Sequence, residues 1–198
     1  MMLQLVFATH NANKLKEIQQ QLGTAFTLIS MSDINCTTDI EETGETFAAN
    51  AQLKTNYIST TYNLNCFGDD SGLCVEALNN APGVHSARYA GEHKNDDDNM
   101  NKLLLALQNS SNRNAYFKTV ISLQYNTKNY LFEGEIHGTI IAEKRGANGF
   151  GYDPIFVPNG YDKTFAELDY TIKNTISHRA IAFKKLIQFL QQKSSITN

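Results

Sequence analysis

The chain contains no tryptophan, and only three cysteines and three prolines in 198 residues. Three cysteines without a C-x-x-C pair argue against a disulfide framework or a zinc knuckle, and favour a reducing cytoplasm. No apolar run reaches the roughly 18 residues of a membrane-spanning helix, so no membrane partner is expected. Lys and Arg total 17 against 20 Asp and Glu, and no basic cluster of the kind that binds nucleic acid is present.

What the chain does contain is typical of a globular protein, with 41% hydrophobic and 19% charged residues. Its length predicts one domain, or one domain with a small lobe. Some segments repeat apolar residues at every second position, as strands do, and others at every third or fourth position, as helices do. The mixture predicts an α/β or α+β fold. Strands are predicted at 3–8, 26–29, 73–78, 115–125 and 129–142, and helices from about 15 to 22, 46 to 60, 96 to 108 and 177 to 191.

A polar segment lies between the first predicted strand and the first predicted helix. It consists of Thr9, His10, Asn11, Ala12, Asn13 and Lys14. Free backbone N–H groups and the positive end of a helix at this place would form an anion site. Neither the Walker pattern nor G-x-G-x-x-G is present. The alternative is an ordinary helix start with a solvated lysine.

Two acidic segments are candidates for a metal site. Asp69 and Asp70 stand between glycines after an apolar run, and adjacent carboxylates of this kind suit a hard cation such as Mg²⁺. On an extended chain the two side chains point in opposite directions, so only one is expected to reach a given ion. The alternative is an Asp-rich turn. The acidic segment 39–45 is typical of a solvated loop, and would supply a second ligand only if it lay beside Asp70.

Two further segments suit a flat or anionic ligand. In 149–154 an aromatic residue, Phe150, stands between glycines, and an exposed ring there can stack on a planar group. Near the C terminus, Ser177 is a natural helix N-cap, and His178 and Arg179 follow it as hydrogen-bond donors, with Lys173 nearby. The alternatives are a tight turn with core aromatics and a capped helix with surface charges.

Together these motifs resemble the inosine triphosphate pyrophosphatase family, which acts on non-standard purine nucleoside triphosphates. The resemblance covers nearly the whole chain, with the motifs in the family's order: 7–14, 41–44, 69–73, 82–83, 86–89, 150–156 and 177–179. It implies a two-lobed α/β fold over residues 1–198, in which helices flank a long bent mixed sheet and the nucleotide lies in a cleft between the lobes. It also implies a homodimer.

The resemblance further implies cleavage of ITP, dITP or XTP to the nucleoside monophosphate and pyrophosphate, with Mg²⁺ as cofactor. Residues 9–14 would hold the triphosphate, Lys54 would approach it, and Ser71 would touch the substrate. Glu41 and Asp70 would bind Mg²⁺, and Asp70 would also accept a proton from the attacking water. The base pocket would comprise Phe150, Gly151, Tyr152, Asp153, Lys173, His178 and Arg179. One departure concerns His10, where the family usually has Gly or Asn.

The charges agree with these implied roles. A triphosphate carries about four negative charges at neutral pH, and carboxylates facing it repel it unless a divalent cation intervenes. Two alternatives stay open at the level of sequence. One is a purine nucleotide-binding module without turnover, and the other is a nucleic-acid-binding protein, which the net charge of −3 disfavours.

Overall fold

The structure is a computed structural model that describes residues 3–10, 15, 18 and 26–196. It contains six strands and four α-helices whose bounds fall in the described residues. The strands are β1 (Leu3–Phe7), β2 (Phe26–Ile29), β3 (Cys66–Val75), β4 (Asn114–Tyr125), β5 (Lys128–Ile140) and β6 (Phe156–Pro158). The helices are α1 (Phe47–Tyr62), α2 (Asp96–Ala106), α3 (Tyr170–Ile176) and α4 (His178–Ile196).

The strands form one six-stranded mixed sheet in the order β2-β1-β3-β4-β5-β6. Strand β1 pairs in parallel with both β2 and β3, whereas β5 and β6 are antiparallel. The mixed α/β fold expected from the family resemblance is therefore confirmed. By its internal contacts the chain divides into two compact units. The first comprises Met1–Asp70, Val120–Glu133 and Ala182–Asn198, and the second comprises Ser71–Thr119 and Gly134–Ile181.

In the first unit, the alternation of β1 explains how helices cover both faces of the strand. Leu5 and Phe7 pack in a cluster with the α4 residues Phe183 and Leu186. Their neighbours Val6 and Ala8 belong to a different cluster that contains Ile58 of α1. Because successive side chains of a strand point to opposite faces, α1 and α4 lie on opposite sides of β1. Burial on both faces is why this strand reads as a continuous apolar run.

The second unit has its own core. Leu73 and Val75 of β3 are buried in one cluster with Met100 and Leu103 on the apolar stripe of α2, and with Phe156 of β6. The start of α2 is capped by Asn95, whose side chain accepts a hydrogen bond from the backbone N–H of Asp98. The stripe and cap together place the N-terminal turn of α2 at a defined point on this core.

Several predicted elements occur at or near their predicted bounds. Strand β2 matches its prediction at both ends, and α1 and α2 begin within one residue of theirs. Leu15 and Ile18 are helical, and both pack against the first unit's core as the predicted stripe required. The rest of that stripe, Leu22 with Gly23 after it, lies outside the described residues.

Other predictions are wrong in detail. The turn between β4 and β5 is Asn126–Thr127, not 127–129. Both residues have positive φ, as a two-residue hairpin turn demands, and Asn tolerates it at the first position. Helix α4 continues to Ile196 instead of fraying after 191, and the short helix α3 was not predicted. No helix in the described part of the chain is both long and apolar enough to cross a membrane.

Candidate active site

Strand β3 carries the two adjacent aspartates of the predicted metal site. The strand continues from Cys66 to Val75 through both glycines, so the interpretation of this segment as an Asp-rich turn is wrong. Asp69 and Asp70 are only 3% and 7% exposed. Carboxylates are rarely buried unless they are hydrogen-bonded or paired with a cation, so their partners define the chemistry of this region.

Asp70 is held by an amide from α1. Asn50 is completely buried, and its Nδ2 donates to Asp70 Oδ2 at 2.9 Å. The other end of the same amide accepts a hydrogen bond from the backbone N–H of Gly44 at 2.7 Å. A Cβ at Gly44 would lie 2.7 Å from Asn50 Oδ1, so only glycine permits this approach. The amide thereby joins the acidic loop to the β3 carboxylate.

Asp69 is associated with a lysine of the same helix. Lys54 Nζ donates to the backbone carbonyl of Asp69 at 2.7 Å and forms an ion pair with Glu42. Burial by itself lowers the pKa of Lys54, but the negative charges of Asp69 and Glu42 outweigh it, and the pKa is raised. Lys54 is therefore a cation at physiological pH, in a partly buried position beside three carboxylates.

One glutamate of the acidic loop contacts the residues around Asp69 and Asp70, and its neighbour does not bury its side chain. Glu42 pairs with Lys54, whereas Glu41, the predicted Mg²⁺ ligand, is exposed on the loop. In the described part of the chain, no three His, Cys, Asp or Glu side chains cluster as a ready-made metal site. The assignment of Glu41 as a metal ligand stays a prediction.

The polar segment after β1 is described only at its start. Thr9 is half-buried, and its backbone N–H donates to the carbonyl of Phe7 at 2.7 Å. His10 is exposed, and its Nε2 lies 3.2 Å from the carbonyl oxygen of Thr38. The remaining predicted phosphate-binding residues, which are Asn11, Ala12, Asn13 and Lys14, lie outside the described residues.

The second unit begins with Ser71, the next residue of β3. Its hydroxyl lies 2.8 Å from the hydroxyl of Thr119 on β4. Thr119 is fully buried, whereas Ser71 is half-buried. The pair fixes the Ser71 hydroxyl at the point where β3 passes from the first unit into the second.

The glycine-rich segment of the second unit forms a loop that presents one aromatic ring. Phe150 is 61% exposed, and its backbone N–H donates to Asp153 Oδ2 at 2.9 Å. The next N–H, that of Gly151, donates to Asp96 Oδ2 at 2.7 Å. Gly149 and Gly151 both have positive φ, at 82° and 62°, which glycine adopts without strain.

Cations surround the exposed ring. Lys173 Nζ lies 4.9 Å from the centroid of Phe150, and Arg179 Cζ lies 5.6 Å from it. Lys173 also forms an ion pair with the buried carboxylate of Asp153. The structure therefore brings four predicted base-pocket residues together: Phe150, Asp153, Lys173 and Arg179. An aromatic face next to donors suits a planar heterocycle with exocyclic oxygens.

Two other predicted base-pocket residues are buried. His178 stacks on Phe117, with centroids 4.8 Å apart and planes 11° from parallel. The Tyr152 hydroxyl donates to the carbonyl of Ser86 at 2.9 Å, and burial raises the pKa of Tyr152. The predicted helix cap is present, because Ser177 Oγ accepts a hydrogen bond from the backbone N–H of Ala180.

Sequence reasoning assigned no individual role to four side chains that contact these groups. They are Glu42, Asn50, Asp96 and Thr119. For Asn50 a signal existed, since it is a polar residue three positions after Phe47 on the buried stripe of α1. The other three have no local signal, because their partners are distant in the sequence or backbone groups.

Comparisons with known proteins show which family the chain belongs to. A sequence profile of the Ham1 family matches residues 5–189. A relative from Flavobacterium johnsoniae named dITP/XTP pyrophosphatase is 56% identical over 95% of this chain and 98% of its own length. A relative of the same name from Porphyromonas gingivalis is 50% identical over 96% and 98%.

Solved structures show the same fold. The Ham1 protein from Coxiella burnetii superposes with a TM-score of 0.93 at 42% identity, covering 96% of this chain and all of that one. The Ham1 protein from Staphylococcus aureus gives a TM-score of 0.92 at 41% identity, with 96% and 99% coverage. The family resemblance seen in the sequence is confirmed, and the chain belongs to the Ham1 family.

Proposed function

We propose that this protein is a Mg²⁺-dependent pyrophosphatase of non-standard purine nucleoside triphosphates. It hydrolyses ITP, dITP and XTP to the nucleoside monophosphate and pyrophosphate, and so removes them from the nucleotide pool. Relatives that are 50–56% identical over nearly the full chain carry the name dITP/XTP pyrophosphatase, which supports this activity.

The observation that carries the proposal is the group of charges around β3. Asp69 and Asp70 are buried beside the cationic Lys54, and Asp70 is oriented by Asn50. A binding module would need cations for a triphosphate, but not a buried carboxylate that is oriented to accept a proton. Such a carboxylate is what a hydrolase needs to hold a metal ion or to accept a proton.

The donor set fits Mg²⁺. This ion prefers carboxylate oxygens, takes only one or two of them and keeps several waters, which suits Asp70 with Glu41. When bound, Mg²⁺ supplies positive charge to the phosphate oxygens and to the departing pyrophosphate.

The chain's own residues perform the other parts of the reaction. Asp70 accepts a proton from the attacking water. The water oxygen bonds to the α-phosphorus, and the bond from this phosphorus to the bridging oxygen breaks with its electron pair on pyrophosphate. Thr9, His10, Asn11, Ala12, Asn13 and Lys14 hold the triphosphate, assisted by Lys54, and Ser71 contacts the substrate.

The base pocket is assigned to the second unit. Phe150 stacks on the purine, in a loop held by Gly151, Tyr152 and Asp153, with Lys173 and His178 around it. The backbone N–H groups of Phe150 and Gly151 already donate to carboxylates, which favours Arg179 as the donor to the base. Hypoxanthine and xanthine carry an oxygen at C6, whereas adenine carries an amine. A hydrogen-bond donor that faces C6 therefore favours hypoxanthine and xanthine over adenine.

We also propose that the protein acts as a homodimer in the cytoplasm. The three cysteines, Cys36, Cys66 and Cys74, are free and buried, which is compatible with a reducing compartment. Light scattering coupled to size exclusion tests the dimer, which requires twice the chain mass of 22.1 kDa.

The test of function is pyrophosphate release from ITP, dITP, XTP, GTP and ATP, with Mg²⁺ or with EDTA. We expect release from the first three only, with Mg²⁺ only, and its loss in Asp70→Asn. The control is Asp39→Asn, which removes an exposed charge from the acidic segment. Release of single phosphate would contradict attack at the α-phosphorus. Tight ITP binding without turnover by the wild type would instead identify a nucleotide-binding module.

A further inference from the structure

The loop that presents Phe150 is exposed at its tip, and hydrogen bonds to its backbone, such as that from the N–H of Asn148 to the carbonyl of Ala166, fix its conformation. The ring is mostly exposed, and the flanking glycines at 149 and 151 allow backbone conformations that other residues resist. A stacking ring is useful only if it is held in place before the ligand arrives, because ordering a loop on binding costs affinity. The contacts that hold this backbone are therefore functionally important.

Two consecutive backbone N–H groups of the loop donate to two different carboxylates. The N–H of Phe150 donates to Asp153 at 2.9 Å, within the loop itself. The N–H of Gly151 donates to Asp96 at 2.7 Å, and Asp96 is 55 residues away in the sequence. The first contact shapes the loop locally, whereas the second ties it to a separate element.

The separate element is helix α2, which packs in the core of the second unit. Asp96 is the first residue of α2, whose residues Met100 and Leu103 are buried in the second unit's core. Asn95 already caps the helix, so the carboxylate of Asp96 is not needed for that purpose. A negative charge is also favoured in the first turn of a helix.

The neighbouring aspartates have other partners. Asp97 forms an ion pair with Lys144, and Asp98 Oδ2 lies 3.0 Å from His93 Nε2. Of the three aspartates at the start of α2, Asp96 is thus the one that contacts the loop through Gly151. Asp98 provides a matched control on the same turn.

We propose that Asp96 is a positioning residue that fixes the Phe150 loop through the backbone N–H of Gly151 and so determines affinity for the purine base. The inference rests on the proposed function, in that the loop is taken to bind the base. Asp96 acts through the backbone of the loop. Its loss is therefore expected to affect KM more than kcat.

The kinetic test compares Asp96→Ala, Asp96→Asn and Asp98→Ala. We expect Asp96→Ala to raise KM for ITP by about three- to tenfold, with kcat within about twofold. This is the usual effect of losing one hydrogen bond of ordinary strength, and Asp96 is exposed, so solvent weakens the contribution of its charge. Asp96→Asn retains an oxygen acceptor and should restore KM to within about twofold. Asp98→Ala should match the wild type. Equal effects of Asp96→Ala and Asp98→Ala, or no rescue by Asn, would overturn the proposal.

A second readout does not need turnover. The chain has no tryptophan, so Phe150→Trp introduces a single tryptophan at the tip of the loop, which can be excited apart from the nine tyrosines. Without nucleotide, Asp96→Ala in this background should lower the anisotropy of Trp emission and increase its quenching by acrylamide, whereas Asp98→Ala should change neither. Unchanged fluorescence would refute the anchoring role. If the wild type failed to hydrolyse ITP, the proposed function would fail while this comparison still tested the anchor.

Discussion

The amide of Asn50 donates to the carboxylate of Asp70 across 2.9 Å in a part of the first unit where both side chains are buried. The same amide accepts a hydrogen bond from Gly44 N. One buried side chain therefore orients the proposed proton acceptor and also fixes the acidic loop. Its removal should affect both stability and catalysis.

Asn50→Leu conserves volume but leaves Asp70 and the Gly44 N–H without this partner. A buried polar group left unsatisfied costs about 1–3 kcal/mol, and a charged one more, so we expect a loss of at least that size in the free energy of unfolding. We also expect kcat for ITP to fall by at least about tenfold. Urea unfolding and initial rates measure the two effects. Asn56→Leu, on the exposed side of the same helix, is the control.

Lys54→Met removes the cation beside Asp69 and Glu42. Breaking a buried ion pair lowers the free energy of unfolding by about 3–5 kcal/mol. Lys54 and Glu42 are partly exposed, so for Lys54→Met we expect a smaller loss, of about 2–4 kcal/mol. Lys128→Met, at an exposed position, should change stability by less than about 0.5 kcal/mol.

The pH dependence of this stability follows from the raised pKa of Lys54. A group whose pKa is higher in the folded state contributes fully below its unfolded value, 10.5 here, and its contribution is lost as pH rises through the folded value. The difference in unfolding free energy between wild type and Lys54→Met should therefore be constant from pH 7 to 9 and shrink above 10.5. A difference that grew with pH would contradict the assignment.

Arg179→Met should reduce discrimination between bases. An unpaired buried donor costs about 1–3 kcal/mol, which corresponds to about 5- to 150-fold. We expect the ratio of kcat/KM for ITP over ATP to fall by a factor in this range. The Arg179 assignment is wrong if the ratio is unchanged. The related hypothesis, that the pocket excludes the 2-amino group of guanine, fails if the wild type hydrolyses GTP as fast as ITP.

Phe150→Ala should weaken the binding of all purine nucleotides to a similar extent, because every base has a face on which the ring can stack. Loss of stacking on an aromatic side chain costs about 1–3 kcal/mol per base, so KM should rise together for ITP and XTP. Tyr161→Ala removes another exposed aromatic ring of the second unit and serves as the control. A change confined to one nucleotide would show that Phe150 selects the base instead of stacking on it.

Two glycines of the same loop should differ in their tolerance of alanine. A Cβ at Gly149 would clash with Asp153 Oδ2, whereas a Cβ at Gly151 meets nothing within 4 Å. Gly151→Ala therefore carries only the backbone strain of positive φ, about 1–2 kcal/mol. Gly149→Ala should destabilise the protein more and raise KM for ITP further. Thermal unfolding and kinetics of both variants test this order.

The family and most secondary structure could be predicted because their signals are local. The run Phe26–Ile29, the cap at Ser177 and the apolar stripe of α2 each depend on a few neighbouring residues. The continuation of β3 through Gly68 and Gly72 could not be predicted, because Gly and Asp are poor strand formers and pairing with neighbouring strands overrides that preference.

The sequence by itself determined the chemical groups, namely paired aspartates, a glycine-flanked aromatic and a basic helix start, and with them the family. Only the tertiary structure decided which partner each group has. Asn50 meets Asp70, Lys54 meets the Asp69 carbonyl, and Asp96 meets Gly151. These partners are 15 to 55 residues apart, and hydrogen bonds between them depend on how helices pack on strands and loops, which local patterns do not encode.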